Sequence, residues 1–147
     1  MLTIDTPLTI ATSRYSARDL IVASGLAPVR ITLGAPKFPL GYQLAGEVPE
    51  LAPSPRIFRL EWERFAPAYL RQLDRVDWLA VEEQLCSIAA AAGSLGCVWL
   101  CFENVLRGEF CHRRLAARHW EAQTGYLVPE LGTPERTDAK GLPDRGS

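Results

Sequence analysis

Cys97-Val98-Trp99-Leu100-Cys101-Phe102 is a continuous apolar run of strand length, and its lack of alternation decides the architecture. A strand that is apolar at every position is covered on both faces, as strands of parallel sheets are. A helical stripe precedes it: Val81, Leu85, Ile88 and Ala92 recur at helical spacing, and Gly93 stops them. Asp77 is placed to cap that helix, with Glu82 and Glu83 near its positive end. A second helical segment follows. Cys111 to Gln123 places Leu115, Ala116, His119 and Ala122 inward and Arg114, Arg118 and Glu121 outward, with Gly125 at its end.

Further out, Phe65, Tyr69, Leu73 and Val76 mark another helix, with Pro67 in its first turn. Leu8-Thr9-Ile10-Ala11 and Pro28-Val29-Arg30-Ile31-Thr32-Leu33 read as strands, and Ser16 to Ala23 as a brief helix between them. Tyr126-Leu127-Val128 is suited to an edge strand. Between positions 35 and 55, Pro36, Pro39, Pro49, Pro53 and Pro55 with Gly41 and Gly46 predict a long irregular loop. Such loops in small domains are usually functional or mobile. Strands separated by helices require crossover connections. The expected fold is a small three-layer α/β, Rossmann-like domain with a mainly parallel sheet and helices on both faces. It spans residues 1–131, and the polar tail 132–147 is expected to be disordered.

A chain of 147 residues has room for one domain with its own core. With 48% apolar residues and a net charge of −1 it has no polybasic run, so general nucleic-acid binding is not expected. No signal peptide or membrane-length apolar stretch is evident. Cysteines at 86, 97, 101 and 111 lack the spacing of a secreted disulfide scaffold, which favours a reduced, cytoplasmic setting. Of the sixteen basic residues only Lys37 and Lys140 are lysines, an excess of Arg that codon bias explains more simply than anion capture.

In parallel α/β sheets, ligands bind beyond the carboxyl ends of the strands. Here those ends carry Ser13-Arg14, Gly34 to Lys37 and Cys101-Phe102-Glu103, and the helix starting at Cys111-His112-Arg113-Arg114 opens on the same rim. These stretches, with Val29-Arg30-Ile31-Thr32-Leu33-Gly34-Ala35-Pro36-Lys37-Phe38, Gly108-Glu109-Phe110 and Val128-Pro129-Glu130-Leu131, resemble the domain-of-unknown-function family numbered 488. The resemblance runs over roughly residues 8 to 131. It implies a small single-domain α/β protein of bacterial, archaeal or phage type. It supplies no reaction.

The residues themselves suggest several chemistries. Cys111, at a helix N-terminus beside cations, is suited to be a thiolate nucleophile, or else a capping and packing residue. Glu103, just past a buried strand, is placed to be a general acid or base, or the counter-ion of Arg113. His112 and Arg113 at a helix start are placed to hold an anion. Lys37, Arg14, Thr32 and Cys101 line the same rim. Cys101 and Arg107 have the spacing of a cysteine-phosphatase loop, but the residues between them include no glycine to wrap around phosphate. Cys101, Cys111, His112 and His119 are metal-ligand types. But His112 and His119 lie roughly 10 Å apart along a helix, too far to share an ion, and Cys97 and Cys101 are about as distant on their strand, which leaves only a mixed Cys/His/Glu site open. No metal is assigned and the cofactor is left unknown.

The candidate catalytic residues are therefore Cys111, Glu103 and His112. The candidate ligand-binding residues are Arg113, Lys37, Arg14, Thr32 and Cys101. Two functional readings stay open. One is binding of a small anionic, nucleotide-like ligand at this mouth, with or without catalysis. The other is a non-catalytic binding or protein-interaction module in which the cluster is structural and the 35–55 loop meets a protein partner.

Overall fold

The strand read as fully buried, β4 (Gly96–Cys101), is the spine of the sheet, and every one of its residues is buried. It pairs with β1 (Thr9–Arg14) on one side and β2 (Ala27–Arg30) on the other, and β3 (Gly46–Glu47) extends the outer edge of β2. All pairings in this four-stranded sheet are parallel, in the order β1-β4-β2-β3. The computed structural model describes residues 8–133. The tail assigned to disorder lies outside them from residue 134 onward.

Among the described residues, five helices complete the α/β fold: α1 (Arg18–Ser24), α2 (Pro55–Phe58), α3 (Trp62–Asp74), α4 (Trp78–Ala92) and α5 (His112–Thr124). Asp77 caps α4 as expected, its side chain accepting from Ala80 N. Alternation along the strands sorts the core into two faces. Ile10, Val29, Cys97 and Trp99 pack with Tyr69, Leu85 and Trp120 from α3, α4 and α5. Ala11, Val98 and Leu100 meet Tyr15 and Ile21 on the opposite face. Trp99 and Trp120 join edge to face at 5.9 Å, locking α5 onto β4. Gly96 is required where β1 and β4 approach, because a Cβ there would lie 1.8 Å from the Thr9 carbonyl oxygen.

Two sequence expectations are corrected. The 35–55 segment is not wholly irregular: it contains β3, a 3-10 turn at Pro49–Leu51 and the buried residues Val48 and Leu51. β3 fits beneath α4 because Gly46 has no side chain, and a Cβ there would meet Ile88 at 2.8 Å. Tyr126 to Val128 does not form a strand. The chain instead touches β1 through one parallel bridge, Thr12 to Glu130, with Thr12 N donating to Pro129 O and Leu131 N to Thr12 O. Pro129 has no N–H to extend a ladder, which limits this contact to a bridge.

Candidate functional site

β4 ends at Cys101 and α5 begins after Cys111, so both sulfurs reach the carboxyl rim of the sheet. They are joined as a disulfide. Cys101 is wholly buried and Cys111 is 5% exposed. Cys111 is the N-cap of α5, and its Sγ accepts from Arg113 N at 3.4 Å. The loop between the two cysteines is surface structure, with Phe102, Leu106 and Phe110 exposed. Asn104 organises it by accepting from Leu106 N and donating its own N–H to the Glu109 carboxylate. Cys86 and Cys97 remain free thiols, and burial pushes Cys97 up to about 12.

His112, buried, is held by the strand beside β4. Its Nε2 lies 2.7 Å from the Ile31 carbonyl oxygen. A carbonyl only accepts, so Nε2 carries the proton in that bond. Burial pushes the imidazole down to about 4, the charge on Arg113 acting in the same direction and the Ile31 bond opposing it. The neutral ring therefore turns the lone pair of Nδ1 toward Cys111 Sγ, 3.9 Å away. A disulfide sulfur has no proton to offer, so this buried lone pair meets no donor there. Tyr69 at 5.3 Å, edge-on, and Phe65 at 6.4 Å wall the ring in.

Arg113 does not pair with Glu103, as the sequence reading allowed. Its guanidinium is fully buried and grips Glu130 at both ends, Nε to Oε1 at 2.9 Å and a terminal nitrogen to Oε2 at 2.7 Å. The remaining nitrogen donates to Cys101 Sγ at 3.1 Å and to the Glu103 main-chain oxygen at 2.8 Å. The Glu103 carboxylate itself is exposed, so the burial that was to tune it as an acid or base is absent. Thr12 donates to Glu130 at 2.7 Å, and Arg114 donates to Thr12 Oγ1 and to Val128 O. Arg114, expected to face outward, is thus half-buried and part of the same network. Buried charges persist only with such pairing and full hydrogen bonding.

The other candidates are more dispersed. Thr32 is buried, accepts from the Tyr15 hydroxyl at 2.6 Å and donates to Gly34 O. Arg14 is half-exposed and donates to Ser16 Oγ. Lys37 is exposed on the segment that leaves β2. An open groove of about 570 Å³ is lined by Glu47, Glu83, Gln84 and Ile88, and a smaller one of about 260 Å³ by Ile21, Leu26, Tyr42 and Ser94. Neither is lined by Cys101, Cys111 or His112. The structure instead draws those three together, with one ligand atom from each within 4.8 Å of the others. The spacings that ruled out His112 with His119 and Cys97 with Cys101 leave a mixed Cys/His set of this kind open, as the sequence reading did.

Glu130 and Thr12 were missed as parts of the site. Glu130 did leave a trace, since a lone carboxylate interrupts the apolar stretch Tyr126-Leu127-Val128-Pro129-Glu130-Leu131. Such a residue needs a partner if it is buried. Nothing local marks Thr12 or the Ile31 carbonyl, because both act through contacts distant in sequence. Among the described residues no helix is long and apolar enough to cross a membrane. No protein-family model, no curated protein and no solved structure matches the chain.

Proposed function

We propose that the protein is a thiol–disulfide redox protein, with Cys111 as the attacking sulfur and Cys101 as the resolving one. The carrying observation is the Cys101–Cys111 bond at the carboxyl rim of a parallel sheet, with an N–H donor aimed at each sulfur. Such donors are poorly used by a disulfide and well used by thiolates. Cys111 is the less deeply buried of the two cysteines and sits at the positive end of a 13-residue helix. The motifs that supply these cysteines are the ones that resemble family 488, and kinship with it is part of the same proposal.

The exchange balances with a small disulfide as oxidant. Cys111 thiolate attacks one of its sulfurs, a thiolate leaves, and a mixed disulfide forms on Cys111. Cys101 thiolate then attacks Cys111 Sγ, the second thiolate leaves, and the intramolecular bond closes. Two electrons pass from the protein to the substrate, and the two cysteine protons end in solution or on the released thiols. Arg14 and Lys37 are the rim cations that would draw an anionic substrate, which retains the anionic-ligand reading without Arg113.

The test is the reduced protein. Alkylation of Cys111 should reach its plateau rate at a pH below the free-thiol value of about 8.5. Cys101→Ser should trap a mixed disulfide on Cys111, and Cys111→Ser should trap none. A Cys111 that reacts only after unfolding would sink the reading.

A structural brace is the second reading, favoured by the complete burial of Cys101 and Arg113. In that case Cys111→Ala lowers the melting temperature, while reduced wild-type protein fails to exchange with any small disulfide.

A further inference from the structure

We propose that the reduced form of this corner is a metal site, in which Cys101 Sγ, Cys111 Sγ and His112 Nδ1 bind one thiophilic divalent cation, zinc foremost. The inference rests on the same reading of the two cysteines as a reversible pair, and adds the imidazole as a third ligand. Three features of the geometry carry it.

The first is proximity: the three ligand atoms lie within 4.8 Å of one another, and all three residues are buried. Two thiolates on a tetrahedral zinc, each about 2.3 Å from the ion, stand about 3.8 Å apart. Opening the sulfur–sulfur bond frees both cysteine side chains to turn, and their Cα atoms stand 7.5 Å apart.

The second is the orientation of His112. Metal-bound histidines donate their other ring N–H to a carboxylate or a main-chain carbonyl, which fixes the tautomer and aims the lone pair at the ion. The 2.7 Å contact of Nε2 with Ile31 O has that form, and Nδ1 turns toward Cys111 Sγ with no proton donor to meet it. Neither a disulfide brace nor a packing role requires a buried imidazole to aim an unused lone pair at sulfur.

The third is the surroundings of the sulfurs. Arg113 donates to Cys101 Sγ from its side chain and to Cys111 Sγ from its main chain, while Glu130 balances the guanidinium charge. N–H donors of this kind stabilise metal-bound thiolates without competing for the ion. Two thiolates and one neutral imidazole give a set of charge −2, which a divalent cation neutralises. Soft sulfur ligands with an imidazole select zinc over magnesium or calcium. Three protein ligands leave one tetrahedral position for water or a small anion, the pattern of reactive rather than purely structural zinc.

The chemistry makes oxidation and metal binding exclusive. Reduction by a phosphine delivers two electrons to the disulfide, water supplies the oxygen that leaves on the phosphine, and two thiols result. The cation then displaces both thiol protons as the two sulfur–metal bonds form. Closing the disulfide removes both thiolate ligands and expels the ion.

The experiment titrates cobalt(II) into the untagged full chain, reduced with a phosphine, freed of it by anaerobic gel filtration and compared with the oxidised chain. The reduced protein should bind one cobalt per chain, with a thiolate-to-cobalt charge-transfer band that zinc abolishes. The oxidised protein, a folded control needing no substitution, should show no band. Cys101→Ser and Cys111→Ser should each weaken binding by about two orders of magnitude, and His112→Asn by at least about tenfold. The inference is overturned if reduced wild-type protein with two titratable thiols gives no band. It is also overturned if the band survives unchanged in Cys101→Ser or His112→Asn, or if oxidised protein binds equally well. Thiol–disulfide exchange measured in excess chelator reports on the redox reading separately, so either can fail alone.

Discussion

Two adjacent residues at the start of α5 face two differently finished environments. Arg113 enters a knot in which Glu130, Thr12, Arg114 and the Glu103 carbonyl answer one another. His112 enters a corner where one ring nitrogen is satisfied by Ile31 and the other points at a sulfur with nothing to donate. The first arrangement is saturated, as a buried charge must be to persist. The second keeps a lone pair and two sulfurs in reserve. The first holds the fold together, and the second is the part proposed to have chemistry left to do.

The sharpest way to break that contrast is to empty the knot. Arg113→Ala should cost about 3–5 kcal/mol in urea unfolding, because Glu130 is left as a buried unpaired charge. Arg113→Met combined with Glu130→Leu should recover most of that loss. If Arg113→Ala is nearly neutral, the knot is not the structural member of the pair.

Acidity tests the corner. With the disulfide closed, His112 is neutral in the fold and has a value of about 4 there against 6.5 when unexposed to these surroundings. The unfolded chain therefore binds the extra proton between those values. Stability should be full above pH about 6.5, fall by up to about 3 kcal/mol as pH drops toward 4, and then level off in this respect. His112→Gln should flatten that slope in unfolding curves measured across the range. An unchanged slope would assign it to other groups.

Reduction should have a smaller effect. The bond closes a loop across ten positions, and losing it should lower unfolding free energy by roughly 2–3 kcal/mol by chain entropy. Cys111→Ser and reduced wild-type protein should then unfold at nearly the same urea concentration. The least effect belongs to Glu103→Gln, which should stay within about 0.5 kcal/mol because the carboxylate is exposed and only the main-chain oxygen meets Arg113. A large loss there would restore the Glu103–Arg113 pairing.

Legibility followed the range of the interactions. The helix read from Val81, Leu85, Ile88 and Ala92 and the buried β4 were readable because periodicity and apolar runs are local properties, although the helix buries Ala89 and leaves Ala92 exposed. The Asp77 cap was readable for the same reason. β3 was hidden, since Gly46 and Glu47 become a strand only by docking on β2 beneath Ile88, and prolines nearby argue for a loop. Nearness in sequence makes Glu103 one of the counter-ions open to Arg113. Glu130 holds that position because the return of the chain past β1 brings it there.

From composition and spacing alone came an α/β fold, a central strand buried on both faces, and a carboxyl rim carrying Cys101-Phe102-Glu103 and the start of the Cys111 helix. Those follow from backbone periodicity and from the crossover geometry of parallel strands, which any chain with this pattern must obey. Folding in three dimensions settled which polar atoms are satisfied. It set Arg113 on Glu130, aimed the His112 Nε2–H at the Ile31 carbonyl and joined the two sulfurs, because hydrogen-bond partners and burial depend on segments that meet only after the chain has closed on itself.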